Sequence, residues 1–256
     1  MPQKQNLTVP IAIVVAGALI AGALFFAGRS ANPSPATGGV SSQLDNVSAV
    51  TADDHILGNP DAAVVIVEYT DLECPFCKSF HTTMKQVIAE YGESGNVAWA
   101  LRSFPLQQIH PNAPRLAQAS ECVAELGGND AYWQFIDNMF VIAPPNTLFD
   151  MSKLTQTATG VGVSATAFEA CLESGRYQDR VANEYSNAVA SGGTGTPYSI
   201  FVLKEAVSES GKQTITTLQS QLQPGTLTIS KDGKKIGMSG ALGYDIVSEI
   251  IDAALQ

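Results

Sequence analysis

The stretch that decides the fold is "AAVVIVEYTDLECPFCKSF", residues 62–80. Its first nine residues are mostly β-branched and apolar, which is typical of a strand buried on both faces. From the cysteine pair onward, apolar residues recur at steps of three or four up to a glycine-containing segment at 91–96, and this pattern predicts a helix. A second strand pattern occupies residues 96–106, so we expect a β-α-β unit with the usual right-handed parallel crossover.

The rest of the folded part has two regions of different character. Residues 111–193 show repeated helical patterns ended by Gly, Pro or Ser, and they predict four or five inserted helices without an intervening strand. A strand pattern returns at 193–204, a hairpin is expected around the Asp-Gly pair of 226–240, and an amphipathic helix closes the chain at 243–256. Residues 205–223 show no pattern that we can assign.

The amino-terminal segment is apolar for long enough to cross a membrane. Residues 7–28 contain no charge, and at about 1.5 Å rise per residue they span roughly the ~30 Å hydrocarbon layer. A cleaved signal peptide is the alternative, although "FFAGRSANP" offers only poor cleavage sites, and a buried helix of a soluble protein fits less well. We predict a transmembrane anchor, with residues 1–6 as a short cytoplasmic amino terminus favoured slightly by the flanking Lys4 and Arg29.

The anchor is followed by a spacer and an acidic domain. Residues 29–52 are rich in Ser, Pro, Gly and Ala and predict a flexible linker, so the folded domain is expected to cover 53–256. The chain has 14 Lys and Arg against 24 Asp and Glu, and Lys4 and Arg29 are the only charged side chains before residue 45, which leaves 12 minus 24, or −12. Such a charge excludes nucleic acid and anionic lipid headgroups as expected partners.

The Cys-x-x-Cys pair lies where a helix begins directly after a buried strand. Unpaired N–H groups and the positive end of the helix dipole stabilise a thiolate there, so Cys74 is the expected nucleophile. Cys77, one turn later and more buried, is expected to resolve a mixed disulfide. Pro75 suits the first turn, where its missing N–H removes no helical hydrogen bond.

Two distant residues add to this prediction. Glu68 lies six residues before Cys74 within the apolar strand, and the pleat could bury its carboxyl beneath the pair, where it would carry the proton of Cys77. A solvent-facing Glu68 is an equal alternative at this point. Pro197, directly before a strand, is in a position where a cis X-Pro bond can occur.

The remaining cysteines and the histidines indicate structure more than chemistry. Cys122 and Cys171 lie 49 residues apart in two predicted helices, and in an oxidising compartment we expect a structural disulfide between them, with two buried free thiols as the alternative. His55, His81 and His110 are scattered, and His81 is expected to be an exposed helical residue. We expect neither a cofactor nor a metal site, because neither Cys122 nor Cys171 belongs to a close Cys or His pair of the kind that zinc sites use.

These motifs together resemble a known family. The strand, the "CPFC" helix start, the helical insertion and "GTP" before the next strand look like the thioredoxin fold, and "ILGNPDAAVVIVEYTDLECPFCKSF", "FPLQQIHPNAPRLAQASECVAE" and "TPYSIF" resemble the DsbA-like extracytoplasmic thiol-disulfide oxidoreductases. The resemblance covers residues 53–203 and, more weakly, 236–255. It implies an α/β, thioredoxin-like fold with an inserted helical subdomain, here preceded by one transmembrane helix.

The resemblance also implies roles for individual residues. The first cysteine of the motif attacks, the second resolves, an acid six residues upstream lies under them, and a cis-proline loop holds the substrate. In this chain these are Cys74, Cys77, Glu68 and the pair Thr196 and Pro197. Some relatives also carry an additional bridge, which favours the disulfide between the other two cysteines.

Substrate contact is expected at Thr196 and Pro197 and also at Pro75 and Phe76, which stand between the two cysteines of the motif. Phe76 occupies the place of the histidine found in strongly oxidising relatives, so one electrostatic contribution to thiolate stabilisation is missing. Residues 204–235 exceed the short hairpin that the family has there.

The functional prediction is a membrane-anchored enzyme that gives disulfides to exported proteins. Its expected partners are cysteine-containing exported proteins, a membrane redox partner that resets the dithiol, and the lipid bilayer through residues 7–28. The catalytic domain is expected on the extracytoplasmic side of the cell membrane, in a monomer. A reductase or isomerase, and a non-catalytic peptide-binding module with a structural Cys74–Cys77 bridge, are the alternatives.

Overall fold

A six-stranded mixed sheet forms the centre of the domain. The structure is a computed structural model that describes residues 43–143 and 148–256. The strand order is β1-β3-β2-β4-β6-β5, with β2 and β3 parallel and the other neighbours antiparallel. The strands are β1 (His55–Gly58), β2 (Val64–Thr70), β3 (Val97–Ser103), β4 (Tyr198–Leu203), β5 (Leu227–Ile229) and β6 (Lys235–Ser239).

Helices cover both faces of this sheet in the described part of the chain. They are α1 (Pro75–Tyr91), α2 (Ala113–Ile142), α3 (Leu154–Gly160), α4 (Ala165–Ser174), α5 (Gln178–Ala190), α6 (Glu209–Gln221) and α7 (Tyr244–Leu255). Short 3-10 turns lie at Leu44–Asn46 and Met151–Lys153.

The β-α-β prediction is confirmed. β2 and β3 pair in parallel through the crossover helix α1, and all seven residues of each strand are buried. β2 lies between β3 and β4, so both of its edges are hydrogen-bonded. Because parallel strands end at the same edge of a sheet, the segments that follow β2 and β3 meet beside the start of α1.

The sheet separates two apolar cores. The larger one contains Ile66, Trp99 and Phe80, and α1, α2 and α7 contribute to it. The smaller one, on the other face, contains Val67 and Tyr69 of β2. Alternation along β2 sends successive side chains to opposite cores, which explains why the strand is apolar apart from Glu68 and Thr70.

The helical insertion is also confirmed, as the helices α2 to α5 without a strand among the residues that the structure describes between 111 and 193. The glycines that end the first helical pattern of the insertion, at 127 and 128, coincide with a break in α2, so Ala113–Ile142 consists of two helical segments that meet at Gly128. Gly128 has φ 77° there, a conformation that favours glycine.

The carboxy-terminal part contains one element that the sequence did not predict. The hairpin is confirmed as β5 and β6, and α7 is the predicted closing helix. The unassigned stretch 205–223 contains α6, whose amino end is capped by the Ser208 side chain accepting a hydrogen bond from the N–H of Gly211 at 3.0 Å. A Cβ at Gly211 would lie 2.3 Å from the carbonyl oxygen of Ala253, so the glycine permits close packing of α6 against α7.

Residues 43–54 lie against the domain, so the folded part begins earlier than residue 53. Leu44 is fully buried, and Arg102 of β3 donates hydrogen bonds to the carbonyl oxygens of Ser48 and Ala49 at 3.1 Å. These residues belong to the carboxy-terminal part of the expected linker 29–52. Within residues 43–143 and 148–256, no helix is long and apolar enough to cross a membrane. The predicted anchor at 7–28 lies outside the described residues.

Candidate active site

Cys74 stands at the junction between the turn that follows β2 and the first turn of α1. It is the N-cap residue, its backbone is extended, and its carbonyl oxygen accepts a hydrogen bond from the N–H of Lys78 at 3.1 Å. Pro75 is the first helical residue, as expected. The Cys74 sulfur is therefore held at the amino end of α1, where the helix dipole favours a negative charge.

The surroundings of Cys74 stabilise its thiolate. Its pKa is lowered to about 6, mainly because the Cys77 side chain donates a hydrogen bond to the Cys74 sulfur. Burial acts in the opposite direction, while Thr196 and the backbone N–H groups of Phe76 and Cys77 lower the pKa further. A large fraction of Cys74 is thus ionised at neutral pH, which is the form that reacts with disulfides.

Cys77 differs from Cys74 in its protonation. Its side chain is fully buried, and burial together with the neighbouring Cys74 charge raises its pKa well above the usual thiol value. The pair therefore consists of a thiolate at Cys74, whose residue is 5% exposed, and a fully buried thiol at Cys77 that donates a hydrogen bond to it. This asymmetry fits one sulfur that attacks and one that resolves.

Glu68 lies in the apolar core beneath the pair. Its relative exposure is 0%, so the alternative of a solvent-facing carboxyl is wrong. Burial raises its pKa to about 8, the polar side chains of Thr70 and Trp99 counteract this in part, and the Cys74 charge adds to it. Glu68 in turn raises the pKa of Cys77, so the protonation of the carboxyl and that of the two sulfurs depend on one another.

The loop before β4 lies opposite the dithiol. The Thr196–Pro197 peptide bond is cis, and the Cys74 sulfur is 3.5 Å from the carbonyl oxygen of Thr196. Pro197 is buried, whereas Phe76 is 66% exposed beside the cysteines. The structure thus brings together Cys74, Cys77, Glu68, Pro75, Phe76, Thr196 and Pro197, the residues predicted for catalysis and substrate contact.

Two acidic residues of the turn were missed by the sequence reasoning. The buried Asp71 carboxylate accepts hydrogen bonds from the N–H of Leu106 at 2.8 Å and from the ring of His110 at 2.9 Å. Glu73 accepts hydrogen bonds from Asn112, both from its backbone N–H at 2.9 Å and from its side chain. Two acids flanking a leucine directly before the motif were the only local sign, and their partners lie more than thirty residues away.

The other two cysteines form a disulfide, and His81 pairs with a carboxylate. Cys122 of α2 and Cys171 of α4 form a disulfide with an S–S distance of 2.02 Å. The expectation that His81 is exposed is wrong, because its ring is buried and lies 2.6 Å from the Asp137 carboxylate. In the parts of the chain that are described, no group of three or more His, Cys, Asp or Glu side chains could hold a metal ion.

The fold has relatives among solved structures. Alpha-DsbA1 of Wolbachia pipientis superposes with a TM-score of 0.62 at 20% identity, over 82% of this chain and 95% of the other. BdbD of Bacillus subtilis gives a TM-score of 0.60 at 18% identity, over 79% and 92% of the two chains. At such identities the likeness establishes a DsbA-like fold.

Sequence comparison gives a different group of relatives and a family. The Na(+)/H(+) antiporter NhaA 1 of Mycolicibacterium gilvum is 32% identical over 144 residues, which are 56% of this chain. The chain spans only 21 to 26% of the length of the first curated relatives that it matches, so their printed activity describes those proteins. The thioredoxin family model matches residues 50–223, which is more than half of the chain. By this match, and in agreement with its sheet, its cysteine pair and its cis-proline loop, the chain belongs to the thioredoxin family.

Proposed function

We propose that this protein is an extracytoplasmic thiol-disulfide oxidoreductase that introduces disulfides into exported proteins. The observation that carries the proposal is the Cys74 sulfur at the start of α1, whose pKa is lowered to about 6 while that of Cys77 is raised. A thiolate of low pKa is a good leaving group, and it stabilises the reduced form relative to the disulfide. Both effects favour transfer of a disulfide from the enzyme to a substrate.

The reaction proceeds through a mixed disulfide. A substrate thiolate attacks the Cys74 sulfur, the Cys74–Cys77 bond breaks, and Cys77 leaves with the electron pair. A second substrate thiolate then attacks the substrate sulfur of the mixed disulfide, and Cys74 leaves as a thiolate. The substrate loses two electrons and two protons; the enzyme gains the two electrons and keeps one proton on Cys77, and the other proton goes to solvent.

Glu68 is proposed to supply the proton that Cys77 takes up when it leaves. With its pKa raised to about 8, this carboxyl is mostly protonated at neutral pH and can act as an acid towards a basic thiolate. In the reverse direction the carboxylate accepts the proton of Cys77, so the same group serves reduction and oxidation.

The substrate chain is proposed to lie between the cis-proline loop and the dithiol. The carbonyl oxygen of Thr196, which is 3.5 Å from the Cys74 sulfur, is placed to accept a hydrogen bond from an extended substrate backbone. Phe76 offers an exposed apolar ring to residues beside the substrate cysteine, with Pro75 and Pro197 around the sulfur. This mixture of backbone and apolar contacts suits many substrates with different sequences.

Location and partners are part of the proposal. Residues 7–28 would anchor the chain in the cell membrane with the domain on the extracytoplasmic side, and a membrane redox partner would reoxidise Cys74 and Cys77. The absence of charge over residues 7–28 supports the anchor. Extraction of the full chain from membranes by detergent but not by high salt, together with digestion of the domain by protease added from outside, would support this arrangement.

Oxidation of a reduced peptide with two cysteines tests the activity. The wild-type chain in its oxidised form should convert the peptide to its disulfide, and Cys74→Ser should abolish this. Cys77→Ser, mixed with the peptide in its disulfide form, should accumulate a mixed disulfide, because the Cys74 thiolate attacks the peptide disulfide, one peptide sulfur leaves as a thiolate, and the enzyme has no second thiol to resolve the product. Undiminished oxidation by Cys74→Ser would refute the proposal. Binding of the peptide without oxidation by the wild type would favour the non-catalytic module.

The direction of electron transfer is tested by the reduction potential. The lowered pKa of Cys74 favours a donor, whereas Phe76 in place of a basic residue favours a more reducing pair. Equilibration with a glutathione series measures the potential directly. A value near the potential of thioredoxin, about −270 mV, would contradict a donor role and support a reductase.

A further inference from the structure

Asp71 links the dithiol to a loop that contributes no cysteine. It follows β2 directly, and its side chain is completely buried. One carboxylate oxygen accepts hydrogen bonds from the N–H of Leu106 at 2.8 Å and from Nδ1 of His110 at 2.9 Å. The other accepts a hydrogen bond from the N–H of Glu73 at 2.8 Å. A buried carboxylate with three donors has little freedom to move.

The main chain of the same residue contacts both cysteines. The N–H of Asp71 points to the Cys77 sulfur at 3.4 Å, and the carbonyl oxygen of Asp71 accepts a hydrogen bond from the N–H of Cys74 at 3.0 Å. The side-chain hydrogen bonds of Asp71 therefore hold a residue whose backbone contacts the Cys77 sulfur and the N–H of Cys74.

His110 is the side-chain member of this group of contacts, because the other two donors to the Asp71 carboxylate belong to the backbone. The ring is 16% exposed, so it lies at the border between the buried carboxylate and solvent. It reaches Asp71 from the segment after β3, which meets the start of α1 because β2 and β3 are parallel.

We propose that Asp71 and His110 are positioning residues that hold the Asp71 N–H against the Cys77 sulfur and thereby stabilise the negative charge of the dithiol. This inference rests on the proposed function and names residues that shift the equilibrium between the disulfide and the dithiol. This hydrogen bond has one consequence in the first step of the reaction and another in the reduced protein.

In the first step Cys77 leaves as a thiolate within the core, where an unpaired charge is costly. The Asp71 N–H donates to the sulfur that receives the electron pair, so the charge is stabilised at the moment it forms. In the reduced protein the Cys77 thiol donates a hydrogen bond to the Cys74 thiolate. The Asp71 N–H donates to the Cys77 sulfur, and this second hydrogen bond strengthens the first. Cys74 and Cys77 are then linked to His110 through one chain of hydrogen bonds.

The test removes only the outer member of this chain. His110→Ala deletes the donor, whereas His110→Asn places an amide N–H near the position of Nδ1 and preserves the contact. His55→Ala is the matched control, since His55 is also half-buried and also pairs with a buried carboxylate, that of Glu121 at 3.0 Å. Asp71→Asn in the same series changes the acceptor itself.

The measurements are the equilibrium constant for reduction by glutathione and the pH titration of the Cys74 thiolate absorbance. For His110→Ala we expect an equilibrium constant about three- to tenfold less favourable to the reduced protein, which corresponds to the loss of one hydrogen bond, and a thiolate midpoint at higher pH. His110→Asn should stay within about twofold of the wild type, and His55→Ala should leave both quantities unchanged. Asp71→Asn, if it folds, should change both in the same direction as His110→Ala.

Three results would overturn the inference: wild-type values for His110→Ala, an equal change in His110→Asn, or an equal change in His55→Ala. The outcome is independent of the peptide assay. If the wild type fails to oxidise the peptide, the proposed function fails, while the glutathione equilibrium and the thiolate titration still decide whether His110 supports the dithiol.

Discussion

Glu68 is an acidic residue in a place that apolar side chains normally occupy. It lies on the central strand β2, pairs in register with Leu101 on one side and Ser199 on the other, and has no exposed surface. Its carboxyl oxygens have no hydrogen bond of normal geometry within the described structure. A group buried in this way lowers the stability of the folded protein in its charged form.

The first prediction concerns the cost of Glu68 to stability. Its folded pKa, about 8, is above its usual value of 4.5, so between these pH values the unfolded chain has released a proton that the folded chain keeps. Burial, the largest cause of the raised pKa, acts in the oxidised protein too, so its stability should also fall as pH rises above about 5, by up to about 1.4 kcal/mol per pH unit. Glu68→Gln should remove this slope and raise the free energy of unfolding at pH 8.

Urea unfolding of the oxidised protein at several pH values measures the slope, and the oxidised form avoids the opposite contribution of the Cys74 thiolate. Glu205→Gln is the control because Glu205 is exposed. A slope that persists in Glu68→Gln would show that another group titrates in this range.

Individual residues of the site differ in how far the sequence could predict them. Cys74 and Cys77 could be assigned from their spacing and the adjoining strand, because their environment is local. The contact between Asp71 and His110 could not be predicted, since it joins residues 39 positions apart and forms only after β2 and β3 pair. His81 was wrongly expected to be exposed, because helical spacing does not tell whether a second helix covers that face.

At the scale of elements, predictability depends on length and on local pattern. The β2 strand and α1 were predictable because a seven-residue buried strand and a helix with proline in its first turn have strong signals. β1 has only four residues, and α6 contains a glycine that its packing against α7 requires. In both cases tertiary contacts, and not local preference, decide the structure.

The disulfide connects two helices, and its removal tests how much it stabilises the domain. It joins α2 to α4 across 49 residues, and by loop entropy its loss should destabilise the domain by about 4 kcal/mol. Cys122→Ala/Cys171→Ala should therefore lower the melting temperature by many degrees. In this double variant, the equilibrium constant for reduction of the Cys74–Cys77 pair by glutathione should remain close to that of the wild type, because the 122–171 disulfide is separate from that pair.

Cys74→Ala/Cys77→Ala provides the matched control. It removes the same number of sulfurs, but the disulfide that it removes closes a loop of only a few residues. Its loss of stability should be clearly smaller than that of the other pair. If both double variants lost the same stability, the 122–171 disulfide would not stabilise the domain by restricting the unfolded chain.

On the scale of the whole molecule, one arginine holds the beginning of the described chain on the sheet. Arg102 of β3 is buried, and its guanidinium donates to both carboxylate oxygens of Asp54, at 2.7 and 3.0 Å. It also donates hydrogen bonds to the carbonyl oxygens of Ser48 and Ala49. The N–H of Ser48 donates a hydrogen bond to Oδ1 of Asn187 in α5 at 3.1 Å. Residues 43–54 thus close the smaller core from the side opposite α1.

The last prediction follows from this arrangement. Asp54→Ala would leave the Arg102 charge buried without its carboxylate partner, and such losses cost about 3 to 5 kcal/mol. Asp61→Ala, at an exposed position, should change the free energy of unfolding by less than about 0.5 kcal/mol. Urea unfolding of the full chain at neutral pH compares the two variants.

Acid provides a second test of the same ion pair. Arg102 holds the pKa of Asp54 below its usual value despite the opposing effect of burial, so the folded chain keeps this carboxylate charged at pH values where the unfolded chain protonates it. The stabilisation is present above the usual carboxyl pKa and is lost as pH falls through the lowered one. The difference between the wild type and Asp54→Ala should therefore shrink in acid, and a difference independent of pH would indicate that lost packing, not the charge pair, destabilises the variant.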